Sequence, residues 1–205
     1  MEAQKGRLNF EEDDEEIISG FAGIEDSYSR KSTKKIQITD EDIASQILVF
    51  FFGSHDTISV TLSQTVYELV ANMHVQEKLI KEIDLTLKRC EDRKITYQAL
   101  FQMKYLDMVV TETLRLWAPP PYLNRKCVKP FVIEPVLPNE KSLLIEPGIE
   151  VIIPIDAFHK NPKYFQNPET FDPERFNNEN RNNIKPFTYF PFGVGPRHCI
   201  GNRFA

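Results

Sequence analysis

The stretch FPFGVGPRHCIGNRFA, residues 190–205, holds one cysteine among three glycines, with Arg197 two positions before it and what looks like the first turn of a helix after it. Gly193 and Gly195 admit backbone turns closed to other residues and the close approach of a flat ligand. Arg197 offers a fork of donors for a carboxylate, and Cys199 offers one soft ligand. A zinc site needs three or four ligands at characteristic spacing. His198, adjacent to Cys199, has no second pair to complete a tetrahedron.

Outward from this loop, composition sets the limits. The chain has 205 residues, with 25 Lys+Arg against 30 Asp+Glu, a formal charge of −5. That balance excludes a basic nucleic-acid arm, so no nucleic-acid partner is expected. Hydrophobic residues make up 41% and charged residues 27%, enough apolar content for a packed core. The longest apolar run, residues 47–52, falls far short of the ~20 residues that cross a bilayer, and the N-terminus lacks the basic-then-apolar order of a signal peptide. Cys90, Cys127 and Cys199 form no disulfide framework by number or spacing, which fits reduced thiols facing the cytosol.

Residues 1–38 carry the acidic run 11–16 and no sustained period, and read as a solvated, partly disordered lead-in. Thr39 with Asp42 three residues on predicts a capped helix start, with negative charge in the first turn. The helix runs to about residue 71 with apolar residues on nearly every side, which predicts burial along its middle in a complete fold; where one wall of the pocket is missing, the apolar surface around Phe50–Phe52 and the loop at Phe190 is expected to face water. Residues 74–89 form an amphipathic helix, with Val75, Leu79, Ile83 and Leu87 on one stripe. A short helix at 97–101 and a longer one at 104–117 follow, the latter stopped by Pro119-Pro120-Pro121. Short β-branched segments at 123–128, 131–133, 143–145 and 151–155 read as small antiparallel strands. Residues 161–190, rich in Asn, Pro and aromatics, predict an irregular but packed meander. The fold class is mainly α with small antiparallel β sheets.

One thiolate among glycines suits haem iron, and FGVGPRHCIG resembles, position for position, the loop Phe-Gly-x-Gly-x-Arg-x-Cys-x-Gly of the cytochrome P450 haem-thiolate monooxygenases. Six fixed positions match. At average residue usage a window does so on the order of once in 10⁸ trials, which disfavours an inert buried cysteine. The resemblance implies a partial cytochrome P450 fold, running from the oxygen-activating helix through the cysteine loop. It also implies haem bound at Cys199 as axial iron ligand, with Arg197, Phe192, Gly193 and Gly201 around it. Phe192 is expected to shield the sulfur from water.

Further matches occur in the family's order. Glu112-Thr113-Leu114-Arg115 resembles its Glu-x-x-Arg helix motif, whose acid and arginine share one helix face; Arg175, in Phe171-Asp-Pro-Glu-Arg-Phe176, resembles the arginine that locks the meander to that helix. By themselves Glu112 and Arg115 would read as a surface ion pair. Arg125, in Asn124-Arg-Lys-Cys127, resembles the strand arginine that meets a haem propionate; the bland alternative is a solvent-facing side chain. Cys90 and Cys127 read as structural, and His159 as a packing and hydrogen-bonding residue rather than a ligand.

Gly53-Ser54-His55-Asp56-Thr57-Ile58 resembles the family's oxygen-activating segment. Asp56 and Thr57 are then expected to distort the helix locally and relay protons to bound oxygen. The bland alternative has the threonine bonding back to the i−4 carbonyl. Ser54 stands where a second glycine is usual, His55 is an unusual filler, and Ile58 replaces a hydroxyl residue.

Residues 39–205 are expected to be the C-terminal part of a cytochrome P450 domain of insect microsomal type, whose N-terminal half and final segment the chain lacks. The implied reaction inserts one oxygen atom of O₂ into a small lipophilic substrate. Electrons are expected from NADPH through a flavoprotein reductase, with cytochrome b5 as a further donor. The expected location is the cytosolic face of the endoplasmic reticulum membrane, through an anchor absent from this chain. Two other readings stay open: a truncated haem-binding or interaction product without monooxygenase activity, and a haem-thiolate isomerase or dehydratase.

Overall fold

The computed structural model describes residues 38–203, so the acidic lead-in lies almost wholly outside the described residues, as do Phe204 and Ala205. The chain divides into two compact units, residues 1–47 and 48–205. In the first, the described part is the start of helix α1 (Asp40–Ala71). Thr39 Oγ1 accepts the Asp42 N–H at 3.2 Å while the Asp42 carboxylate accepts the Thr39 N–H at 3.0 Å, a reciprocal cap across three residues.

The second unit contains the remainder of α1, then α2 (Met73–Arg89), α3 (Tyr97–Phe101) and α4 (Lys104–Leu116). Four short strands follow, β1 (Leu123–Lys126), β2 (Phe131–Ile133), β3 (Leu143–Ile145) and β4 (Glu150–Ile153), and then α5 (Ile155–His159). Strands β1 and β4 pair antiparallel with Arg125 opposite Val151, and β2 pairs with β3 with Val132 opposite Leu144. Residues 160–203 contain only three-residue and four-residue 3₁₀ turns.

The apolar stripe of α2 buries Val75 and Leu79 against Tyr105, Met108, Val109 and Leu116 of α4, and Phe171 and Phe176 of the meander close that core. The first turn of α4 lacks a side-chain cap of its own. Glu82 of α2 supplies one: its two carboxylate oxygens accept the Tyr105 and Leu106 N–H groups, each at 2.9 Å. Donors that a helix start leaves unpaired are thus satisfied from a neighbouring helix. A second cluster, Ala118, Ile155 and Phe190, is packed by Leu123, Ile153 and Phe158 and joins the strand pair β1–β4 to the entrance of the cysteine loop.

The exposed apolar surface expected around Phe50–Phe52 is found, at 58%, 57% and 58%; the two buried residues of α1 are Thr65 and Glu68. An all-round apolar helix predicts a partner on every side, and among the described residues packing begins only at its C-terminal half. Phe190, expected to face water, is 7% exposed because Phe158 and His159 meet its ring edge-on at 5.5 Å. Finally, α1 is long and apolar enough to cross a membrane by length and composition, a property that its six-residue apolar run conceals. It docks through polar groups: Thr65 Oγ1 donates to Thr113 Oγ1 at 3.2 Å, and Glu68 accepts the Trp117 indole N–H at 2.8 Å. That is the behaviour of a helix of the domain.

Candidate functional site

Glu112 and Arg115 lie one turn apart on α4, both with fully buried side chains. Arg115 donates through Nε to Glu112 Oε2 at 2.7 Å and through Nη2 to Oε1 at 2.9 Å, the forked geometry of a guanidinium on a carboxylate. Its remaining donors reach the carbonyls of His159 at 2.8 Å and Pro168 at 2.8 Å. Arg175 completes the cluster from the meander: its Nε donates to Glu112 Oε1 at 3.3 Å, and its Nη2 to the Asn167 carbonyl at 2.7 Å. The Asp172 N–H adds a bond to Glu112 Oε1 at 2.9 Å. Burial pushes the Glu112 carboxyl up, and the Arg115 guanidinium, ahead of the Asp172 N–H and Arg175, pulls it back. The structure therefore brings together the three residues singled out as a lock. With every strong donor matched to an acceptor, this is a buried ion network of the kind that tolerates desolvation.

The cysteine loop is open by contrast. Gly193 and Gly195 have φ of +75° and +78°, a region that side chains with a Cβ rarely adopt. The Gly193 N–H donates to the Phe190 carbonyl at 2.9 Å, and the Cys199 N–H to the Phe192 carbonyl at 2.8 Å, so the loop folds back on itself. Phe192 is half-buried, and Cys199 is a free, exposed thiol. A Cβ on Gly201 would stand 3.8 Å from the Cys199 sulfur, and one on Gly193 3.4 Å from a Leu123 methyl. Leu123 and Arg125 alternate to the same face of β1, so Arg125 projects from the side of the strand that packs on the loop. Arg125 is exposed and donates to the Asn124 carbonyl at 2.8 Å. Arg197 is exposed as well, and neither guanidinium has a carboxylate partner among the described residues. His198 turns its Nδ1 to the Gly195 carbonyl at 3.1 Å and stays within its own turn.

These donors suit haem. No group of three or more His, Cys, Asp or Glu side chains among the described residues forms a cage for a metal ion. A metal carried in a macrocycle needs only one protein ligand, which the Cys199 thiol supplies, and two free guanidiniums suit the macrocycle's carboxylates.

The segment expected to activate oxygen takes the bland geometry. Helix α1 is unbroken from Asp40 to Ala71, and the Thr57 hydroxyl donates to the Gly53 carbonyl at 2.7 Å, the i−4 bond that a threonine makes in an ordinary helix. Ser54 likewise donates to the Phe51 carbonyl at 3.1 Å. The helix runs through this segment without a break, and both hydroxyls close onto its own carbonyls. Asp56 lies 3.2 Å from His55 Nδ1, an exposed pair, and the His55 ring stacks on Phe51 at 5.7 Å.

Sequence reasoning overlooked two residues of this frame. Glu68 and Trp117 bridge α1 to the end of α4; the signal was an acid one turn after Thr65 in an otherwise apolar stretch. The role of the His159 ring was also understated. Its Nε2 accepts the Phe190 N–H at 3.0 Å, immediately before the loop.

The sequence profile described as Cytochrome P450 matches residues 10–205. Cytochrome P450 9e2 of Blattella germanica is 48% identical over 205 residues, covering 100% of this chain and 35% of that protein. Probable cytochrome P450 9f2 of Drosophila melanogaster is 40% identical over 183 residues, covering 89% of this chain and 35% of the relative. Cytochrome P450 3A18 of Rattus norvegicus is 40% identical over 202 residues, covering 98% of this chain and 37% of the relative. The chain thus spans about a third of the length of the curated relatives it matches. With the Cys199 loop, the buried Glu112 network and a match from residue 10 to residue 205, the chain belongs to the cytochrome P450 family, whose cofactor is thiolate-ligated haem.

Proposed function

We propose that the protein carrying this chain is a haem-thiolate monooxygenase that inserts one oxygen atom of O₂ into a small lipophilic substrate: RH + O₂ + 2 e⁻ + 2 H⁺ gives ROH + H₂O. The observation that carries this reading is the free Cys199 thiol, set in a loop shaped by left-handed glycines two residues after an exposed Arg197. Residues 39–205 serve as the C-terminal part of the haem domain and residues 1–38 as an acidic lead-in. Haem bound there supplies oxygen activation, the thiolate donating electron density that favours O–O cleavage. Cys199 binds as the thiolate, a form that metal coordination itself favours. Gly193 supplies a left-handed turn of the loop and Gly201 lies beside the sulfur, Phe192 screens it, and Arg197 and Arg125 neutralise the two carboxylates. The Glu112, Arg115 and Arg175 network fixes the meander from which the loop hangs. Asp56 and Thr57 would be the groups that pass protons to bound oxygen, the role the family resemblance implies for them.

The two electrons come from NADPH through a flavoprotein reductase, with cytochrome b5 as a further donor. The site of action is the cytosolic face of the endoplasmic reticulum membrane. One observation favours a second reading, a haem-thiolate isomerase or dehydratase: the Thr57 hydroxyl is spent on the Gly53 carbonyl, and Ser54 and Ile58 depart from the family's relay. Turnover of lipophilic compounds under ¹⁸O₂ by the complete reading frame with its reductase separates the two. One labelled atom in the product with NADPH consumption is the expected result. Conversion of a hydroperoxide with no NADPH consumption overturns the monooxygenase in favour of the second reading.

A further inference from the structure

His159 is the only histidine among the described residues with no exposed surface, and it touches both halves of the site. Its carbonyl accepts Arg115 Nη1 at 2.8 Å, tying it to the buried ion network. Its ring stacks on Tyr189 at 5.2 Å and meets Phe190 edge-on at 5.5 Å. Tyr189 is in turn held by its hydroxyl, which donates to the Thr111 carbonyl on α4 at 3.0 Å. The ring then accepts the Phe190 N–H through Nε2 at 3.0 Å. From Phe190 two further backbone bonds lead to Cys199, by way of Gly193 and Phe192.

We infer that His159 is the positioning residue of the cysteine loop, an acceptor that sets the backbone from which the Cys199 sulfur is presented. The inference rests on the reading that Cys199 holds haem. An N–H donor requires a lone pair at Nε2, so the imidazole is neutral and its proton sits on Nδ1. Nδ1 is buried and makes no hydrogen bond of good geometry, while the backbones of Leu114 and Arg115 at the end of α4 lie close enough to act on the ring. The ring thus spends its one well-formed hydrogen bond on the backbone at the entrance of the loop. Burial pushes the ring's pKa down to about 4, which keeps the acceptor in place at neutral pH.

The test uses the complete reading frame loaded with haem, and three forms of residue 159. His159→Gln places an amide oxygen near the position of Nε2 and keeps the acceptor; His159→Phe keeps a ring of similar size and strands the Phe190 N–H. The readout is the fraction of haem giving the red-shifted, thiolate-type band in the reduced carbon monoxide spectrum, taken alongside Tm. His159→Phe should lower that fraction about tenfold, the consequence of one unsatisfied buried donor, while His159→Gln retains most of it. A full thiolate band in His159→Phe overturns the inference. So does equal loss in both variants with Tm unchanged.

A second measurement stands whatever the variants do. The ¹⁵N spectrum of the histidine-labelled protein, with His159 assigned by its disappearance in His159→Gln, should show Nδ1 protonated and Nε2 bare. A protonated Nε2 overturns the inference. If the parent protein shows no thiolate band at all, the haem reading falls, and the tautomer still decides whether His159 holds the loop.

Discussion

The buried network around Glu112 and the loop around Cys199 occupy the same unit and are built on opposite terms. In the network every charge meets its counterpart: Arg115 and Glu112 have no exposed side-chain surface, and Arg175 and backbone groups fill the remaining valences. Around the loop the charges are left over: Arg125 on β1 and Arg197 are exposed with no carboxylate partner among the described residues, and the Cys199 thiol is free. Residues that hold the frame are satisfied within the chain, whereas the residues proposed to hold haem keep binding capacity in reserve.

Substitutions on the two sides should therefore behave differently, and stability of the complete protein in urea, together with haem retention, reads both. The largest effect belongs to Glu112→Ala, which leaves Arg115 buried without a counter-charge and should cost about 3–5 kcal/mol. A loss below about 1 kcal/mol would mean that the network is not buried as described.

Acidification should act on the frame through His159. Its pKa in the folded protein lies below the ordinary value of 6.5, at about 4. The unfolded chain thus takes up the proton first, and the contribution, present in full above pH 6.5, is lost as pH falls towards 4. The loss amounts to about 3 kcal/mol, and His159→Gln should flatten that part of the stability profile. An identical profile for both proteins would contradict it.

Glu82→Ala removes the cap that α2 lends to α4 and should cost about 1–2 kcal/mol by the same measurement. Lys78→Ala breaks the half-exposed pair with Glu174 and should cost under about 1 kcal/mol, less still in high salt. The smallest change in stability, within about 0.5 kcal/mol, is expected for Arg197→Ala, which gives up no partner within the chain. Haem retention sharpens the contrast here: this variant should shed its cofactor faster than Lys78→Ala does, and equal retention would remove Arg197 from the site.

Much of this arrangement was legible in the sequence because the rules involved act over three or four residues. The Thr39 and Asp42 cap, the stripe of α2, the bounds of α3 and of β2 and β3, and the shared face of Glu112 and Arg115 all follow from local spacing. The resemblance in the Cys199 loop then ordered the motifs along the chain. What escaped were partners distant in sequence. Glu82 caps a helix that begins 22 residues later, and Glu68 accepts from Trp117, 49 residues on. No spacing rule announces either. The exposed surface around Phe50–Phe52 was legible, whereas the place where α1 begins to pack was not: apolar residues on every side state that partners are needed, not where along the helix the chain provides them. Thr57 shows a further limit. The same two residue types serve a proton relay or a plain i−4 bond, and the backbone decides between them.

The central claim is that Cys199 presents a thiolate to haem iron. Its most direct test is the difference spectrum of the reduced protein with carbon monoxide, recorded on the complete reading frame and on Cys199→Ala. A red-shifted Soret band of a thiolate-ligated haem in the parent protein, absent from Cys199→Ala, is the result the account predicts. The band of a histidine-ligated or unligated haem in the parent protein, or a red-shifted band that survives the loss of Cys199, would contradict it.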